Sequence, residues 1–123
     1  MRVFLLVGVA CAFLLAGCIS PQVVSEKPVQ LSRAQISQVE AAVKYSLIDP
    51  DSASFRNIRA ADLTLADGTN YRRVCGEVNS KNRMGGYAGF STFKGNMQGG
   101  KFQLDYMDSI NDATATYACN PNL

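Results

Sequence analysis

Between Asn79 and Tyr87 the chain gathers its most ligand-capable residues: the amides Asn79 and Asn82, the cations Lys81 and Arg83, the pair Gly85-Gly86, and Tyr87. Lysine and arginine donate to anionic or carbonyl groups, amides both donate and accept, and a loop keeps such groups available to a partner. Asn79, Lys81, Asn82, Arg83 and Tyr87 are therefore the candidate interaction surface. The same composition also builds an ordinary wide hairpin, in which glycine supplies positive φ and asparagine bonds to nearby backbone. Tyr87, Phe90 and Phe93 have two uses as well, an exposed platform or sheet packing, and packing is the commoner fate of such aromatics.

Catalytic chemistry finds few residues. The chain has no histidine, so the usual general base and triad partner are missing. Of the three glutamates only Glu77 falls in the patterned centre of the domain, and no two acids have a spacing that points to a glycosidase couple. Ser80 and Lys81 are sequence neighbours and point apart in an extended chain. No catalytic residue, metal site or cofactor is expected, and a hydrolase acting through Glu77 is the weakest functional reading.

A third chemistry lies near the start. Residues 3–19 carry no charge and follow Arg2, a positive n-region leading into an apolar h-region. The run includes Leu15-Ala16-Gly17-Cys18, and here the chain resembles the lipobox of bacterial lipoprotein precursors. The resemblance implies cleavage before Cys18, lipid attachment to its thiol, and palmitate-type acylation of the new amino group. Residues 1–17 would be the signal peptide. Cys11 is apolar filling, because Gly8-Val9-Ala10 has no branched aliphatic residue ahead of the small pair. The same resemblance implies, from Ile19 rather than Asp after the cysteine, the outer membrane over the inner, on the periplasmic side. An uncleaved spanning helix competes with this reading, but a 17-residue run is at the short limit for one.

Export has a consequence for the two remaining cysteines. In an oxidising compartment Cys75 and Cys119 are expected to pair, and closing so long a loop stabilises by ~4 kcal/mol in the chain-entropy model. A two-cysteine metal site fails for lack of further ligands.

These residues must be positioned by a small fold. With 123 residues the chain supports one domain. From Cys18 to Gln30 the composition turns to Ser, Pro, Gln, Val, Glu and Lys without periodicity, which reads as a flexible tether spanning at most about 40 Å. Residues 31–123 form the folded domain. Leu31-Ser32-Arg33-Ala34-Gln35-Ile36 is a capping box with a hydrophobic staple, and Ile36, Val39, Val43 and Leu47 share one helical face. A helix from Arg33 to about Ile48 follows, ended by Asp49-Pro50. Strands are predicted over Phe55 to Leu65, Tyr71 to Val78, Tyr87 to Phe93 and Phe102 to Tyr106, with Asp67-Gly68-Thr69-Asn70 turning the first pair and Gly95, Gly99 and Gly100 connecting the last. Residues after Asp108 fit a short helix or a strand. The expected class is α+β: one N-terminal amphipathic helix on an antiparallel sheet of about four strands, with one disulfide. Parity places Val74 and Val78 towards the helix and Cys75 and Glu77 on the opposite face, so the disulfide would pin the C-terminal tail across that second face.

Val74 to Phe93, together with Asp49 to Asn57, is similar to a recurrent pattern in small exported proteins of bacteria and their phages or prophages. The similarity spans roughly residues 45–93 and implies a fold without implying an activity.

Charge completes the picture. Residues 55–101 hold eight cations against three acids, a local balance of +5. The expected function is a membrane-anchored envelope lipoprotein acting as a binding module, with an envelope protein or an anionic envelope polymer as partner and no nucleic acid. The alternative is a phage-exclusion factor or an inhibitor of a wall hydrolase.

Overall fold

The computed structural model describes residue 17 and residues 20–123. Cys18 and the rest of the apolar run fall outside these residues. Five strands form one sheet in the order β1-β2-β3-β4-β5, every neighbouring pair antiparallel: β1 Val23–Val29, β2 Ser54–Leu65, β3 Asn70–Asn79, β4 Ser91–Gln98 and β5 Lys101–Met107. Helix α1, Arg33–Tyr45, lies between β1 and β2 in sequence, and a short helix α2, Thr114–Cys119, ends the fold. The architecture is a mostly antiparallel sheet with two helices and one disulfide.

The start of α1 follows its local chemistry. The Gln35 amide donates to Ser32 Oγ at 3.1 Å and the Ser32 amide donates to Gln35 Oε1 at 2.9 Å, so two of the otherwise orphaned N–H groups at the helix start are satisfied. Val39 and Val43 are fully buried from the helix side. They meet Ala60, Val74, Val78, Phe93 and Met97 from the sheet in a single core on one sheet face. The helix stops at Tyr45 rather than Ile48, capped where the Ser46 hydroxyl donates to the Val43 carbonyl, and a 3₁₀ turn at Pro50–Ser52 leads into β2.

Four expectations need correction. The helix is not the first element, and the strands number five, because Val23–Val29 forms an edge strand on β2 where a tether was expected. Pro28 and the lack of alternation concealed it; an edge strand leaves half its N–H groups without a ladder partner and so tolerates proline. The fourth strand runs from Ser91 to Gln98, not from Tyr87 to Phe93. Residues 85 and 89 adopt φ of +77° and +94°, which breaks extension before Ser91. Gly95 lies inside the strand because a Cβ there would come 2.3 Å from the Gln103 carbonyl oxygen and 2.4 Å from the Phe102 ring. Residues 114–119, which the sequence left open between a short helix and a strand, are helical.

The second face carries the disulfide. Cys75 on β3 bonds to Cys119 on α2, with Cα atoms 6.0 Å apart. Both cysteines are buried, and α2 is held across β4 and β5 on the face opposite α1. Val74 and Val78 thus face the α1 core while Cys75 faces α2, the alternation expected of an extended strand. Among the described residues no helix is long and apolar enough to cross a membrane, and no three His, Cys, Asp or Glu side chains are grouped as metal ligands.

Candidate functional site

The loop from Ser80 to Phe90 joins β3 to β4, and its backbone is organised chiefly by one side chain. Asn82 Oδ1 accepts from the Met84 amide at 2.9 Å and from the Gly86 amide at 3.2 Å, while the Asn82 amide donates to the Gly86 carbonyl. Asn82 is thus a turn-former, the structural role its type offers most readily. The base of the loop is fastened to the 3₁₀ turn: the Lys81 amide donates to Ser52 Oγ at 2.8 Å and the Tyr87 hydroxyl to the Ser52 carbonyl at 3.2 Å. Lys81 Nζ stands 5.8 Å from the Tyr87 ring centroid across an isolated bridge between the two residues. Asn79 is half-buried at the end of β3, and its Oδ1 has no hydrogen-bond partner among the described residues. Arg83 is exposed. Of the five residues expected to form a surface, Lys81, Asn82, Arg83 and Tyr87 are therefore gathered on one fastened loop, with Asn79 at its root.

What the loop displays most is apolar. Met84 is 92% exposed, and Tyr87 and Phe90 are also exposed. Arg56 on β2 lies 3.7 Å from the Phe90 ring centroid, within stacking range. The pairings Ser54↔Asn79, Val78↔Ser91 and Phe93↔Met107 put the start of β2, the end of β3, the start of β4 and the end of β5 at one end of the sheet. Tyr45, Ile48 and Ile110, each more than half exposed, lie in the segments that flank these strand ends. The opposite end carries Val23↔Leu65, Thr64↔Asn70 and Gln98↔Lys101.

A second feature lies on the disulfide face. An open groove of about 680 Å³ runs between β2 and α2, lined by Asn57, Arg59, Glu77, Thr92, Thr116 and Asn120. Asn57 sits at a bulge where β2 slips register between Arg56 and Arg59, with φ of +53°, a left-handed conformation that asparagine tolerates better than most residues. The bulge turns the Asn57 amide onto the Glu77 carboxylate. Arg56 makes a two-pronged contact with the same carboxylate, Nε to Oε2 at 3.2 Å and Nη2 to Oε1 at 3.0 Å. These hydrogen bonds, with the charges of Arg56 and Arg59, hold Glu77 below the ordinary carboxyl pKa. Glu77 is thus an ionised anchor with most of its lone pairs occupied, an environment unsuited to a proton donor.

Ion pairs use four of the eight cations in residues 55–101: Arg56 with Glu77, Arg72 with Asp62, Arg73 with Glu26, and Lys94 with Asp105. Arg59, Lys81, Arg83 and Lys101 have no ion pair among the described residues. Arg59 stands over the groove, its Nη1 donating to the Asn57 carbonyl at 3.3 Å and its Nη2 to Asn120 Oδ1 at 3.2 Å. Of the groove residues only Glu77 carried a signal in the sequence. The others are spread over 64 positions, from 57 to 120, and meet only because the sheet folds and the disulfide brings α2 back. Comparison with protein-family models, with curated proteins and with solved structures finds no match to this chain.

Proposed function

We propose that this chain is a lipid-anchored envelope protein, held at Cys18, that binds a protein partner through the end of the sheet crowned by the Ser80–Phe90 loop. The observation that carries the reading is the position of the exposed Met84, Tyr87 and Phe90. They lie at the opposite end from the one where the chain enters β1. Only four residues separate Cys18 from Val23, a reach over the five Cα-to-Cα steps of at most about 18 Å. The domain therefore sits close to the bilayer, with the end bearing Val23, Leu65 and Lys101 nearest to it. The ten residues of β3 carry the loop roughly 33 Å further out. Exposed Met84 and Tyr87 beside Arg83, which has no ion pair among the described residues, have the composition of a protein interface more than of a solvated turn.

Photo-crosslinking in intact cells tests this reading. A crosslinker replacing Met84 should trap a specific protein, whereas one replacing Lys101 should trap phospholipid or nothing. Recovery of the same products from both positions would remove the directional argument. Cys18→Ala should abolish incorporation of radiolabelled palmitate and release the protein from membranes, and retained label would remove the anchor.

A further inference from the structure

We propose that the groove between β2 and α2 is a second binding site, separate from the loop, that takes an acidic saccharide, with its carboxylate on Arg59 and its hydroxyls on Glu77 and Thr92. The proposal stands on the groove and does not depend on the lipid anchor.

The hydrogen-bond inventory points to this class. Arg59 has five donor hydrogens, of which two are engaged, both in bonds longer than 3.1 Å to neutral oxygens. Glu77 is near enough to feel its charge, but no carboxylate among the described residues lies within ion-pair distance of Arg59, so the planar fork remains available for one. The floor is differently equipped. Glu77 keeps an unused acceptor site on Oε1, because its three hydrogen bonds divide two to Oε2 and one to Oε1. The single Thr116 hydroxyl proton is held by the Asp108 carboxylate, so Thr92 Oγ1 donates its own proton to Thr116 Oγ1 at 3.0 Å and keeps a lone pair to accept from a ligand hydroxyl. A fixed acceptor, a hydroxyl and a guanidinium in one open groove suit a ligand bearing both hydroxyls and an anionic group. A simple inorganic anion could engage Arg59 but has no hydroxyls for the Glu77 and Thr92 acceptors, so it gains less from the groove than a ligand that carries both. A purely apolar ligand would strand these polar groups without water.

The groove is also built to keep its shape. Asn57 and Arg56 clamp Glu77, Thr116 is tied to Asp108 as well as to Thr92, and the disulfide fixes α2 one residue before Asn120. Its volume of about 680 Å³ lies within the range of small-ligand sites, about 300–1,000 Å³.

The experiment uses the full chain in detergent micelles, followed by NMR, with trigalacturonate, neutral maltotriose and inorganic phosphate as probes. Trigalacturonate should give saturable shifts at the Arg59, Thr92 and Asn120 amides, with maltotriose and phosphate at least tenfold weaker. Arg59→Gln should weaken trigalacturonate by about tenfold or more, Arg59→Lys by less, and Lys101→Gln not at all. Thr92→Val should weaken both sugars together. Equal binding of maltotriose, an equal response to phosphate, an unaltered Arg59→Gln protein, or no shift with millimolar trigalacturonate would each overturn the assignment.

Discussion

At the residue scale the most informative side chain is Glu77, because it links the two candidate surfaces. Its partner Arg56 also stacks on Phe90 at the root of the loop. Replacing Glu77 with Gln leaves Arg56 and Asn57 without their anionic acceptor. Since Arg56 is half exposed, the expected loss is modest, about 0.5–1 kcal/mol by urea denaturation. The pH dependence has a definite sign. Glu77 is held below its ordinary value of 4.5 by the Arg56 and Asn57 hydrogen bonds. Its contribution is fully present above that ordinary value and is lost as pH falls through the depressed folded value. Asp62, lowered by Arg72, acts in the same direction. The wild type should therefore lose more stability between pH 5 and acid than Glu77→Gln does. Identical pH profiles for the two proteins would show that the Glu77 contact contributes nothing.

At the element scale the sheet depends on two glycines for reasons that differ. Gly76 on β3 lies beneath the Phe93 ring, and a Cβ would stand 2.4 Å from Phe93 Cζ. Phe93 is fully buried, so the ring has little room to yield. Gly95 on β4 faces the backbone of β5 at a register slip opposite Asp105, and no side-chain rotation relieves a contact with a carbonyl oxygen. Gly76→Ala should cost about 1–3 kcal/mol and Gly95→Ala more, because overpacking is dearest where backbone must move. Thermal denaturation of both variants checks the order, and the reverse order would contradict it. For comparison, Ser32→Ala removes a surface cap and should cost about 1 kcal/mol.

At the scale of the whole molecule the disulfide joins the middle of the sheet to the last helix. α2 has six residues, too few to be stable alone. Beyond the disulfide it is held by the Asp108 carboxylate, which accepts from the Ala115 and Thr116 amides at 2.7 and 3.0 Å, and by Arg73, whose Nη1 donates to the Ala118 carbonyl at 3.0 Å. Replacing both Cys75 and Cys119 with Ala should lower stability by up to about 4 kcal/mol. Amide exchange should accelerate first in residues 114–120 while β2 and β3 stay protected. Uniform acceleration across the sheet would show that α2 is an integral part of one cooperative unit. Because Thr116 and Asn120 line the groove, the same variant should also weaken saccharide binding.

Several features were written locally and could be read from the sequence. The capping box at Ser32, the buried stripe of Val39 and Val43, the hairpin turn at Asp67–Asn70 and the opposite parity of Val74 and Cys75 each depend on neighbours a few residues away. The Cys75–Cys119 pairing followed from counting the cysteines that an expected export would leave outside the apolar run. Other features depend on partners distant in sequence, and only the tertiary structure decided them. Val23–Val29 is a strand because β2 offers it an edge, although its own composition resembles a linker. Gly95 is a strand residue because the Phe102 ring fills the space a side chain would need. Residues 114–119 are helical where Asp108 and the disulfide secure them. The groove belongs wholly to this second group, since Asn57, Arg59, Thr92 and Asn120 become neighbours only when strand register and disulfide closure bring them together.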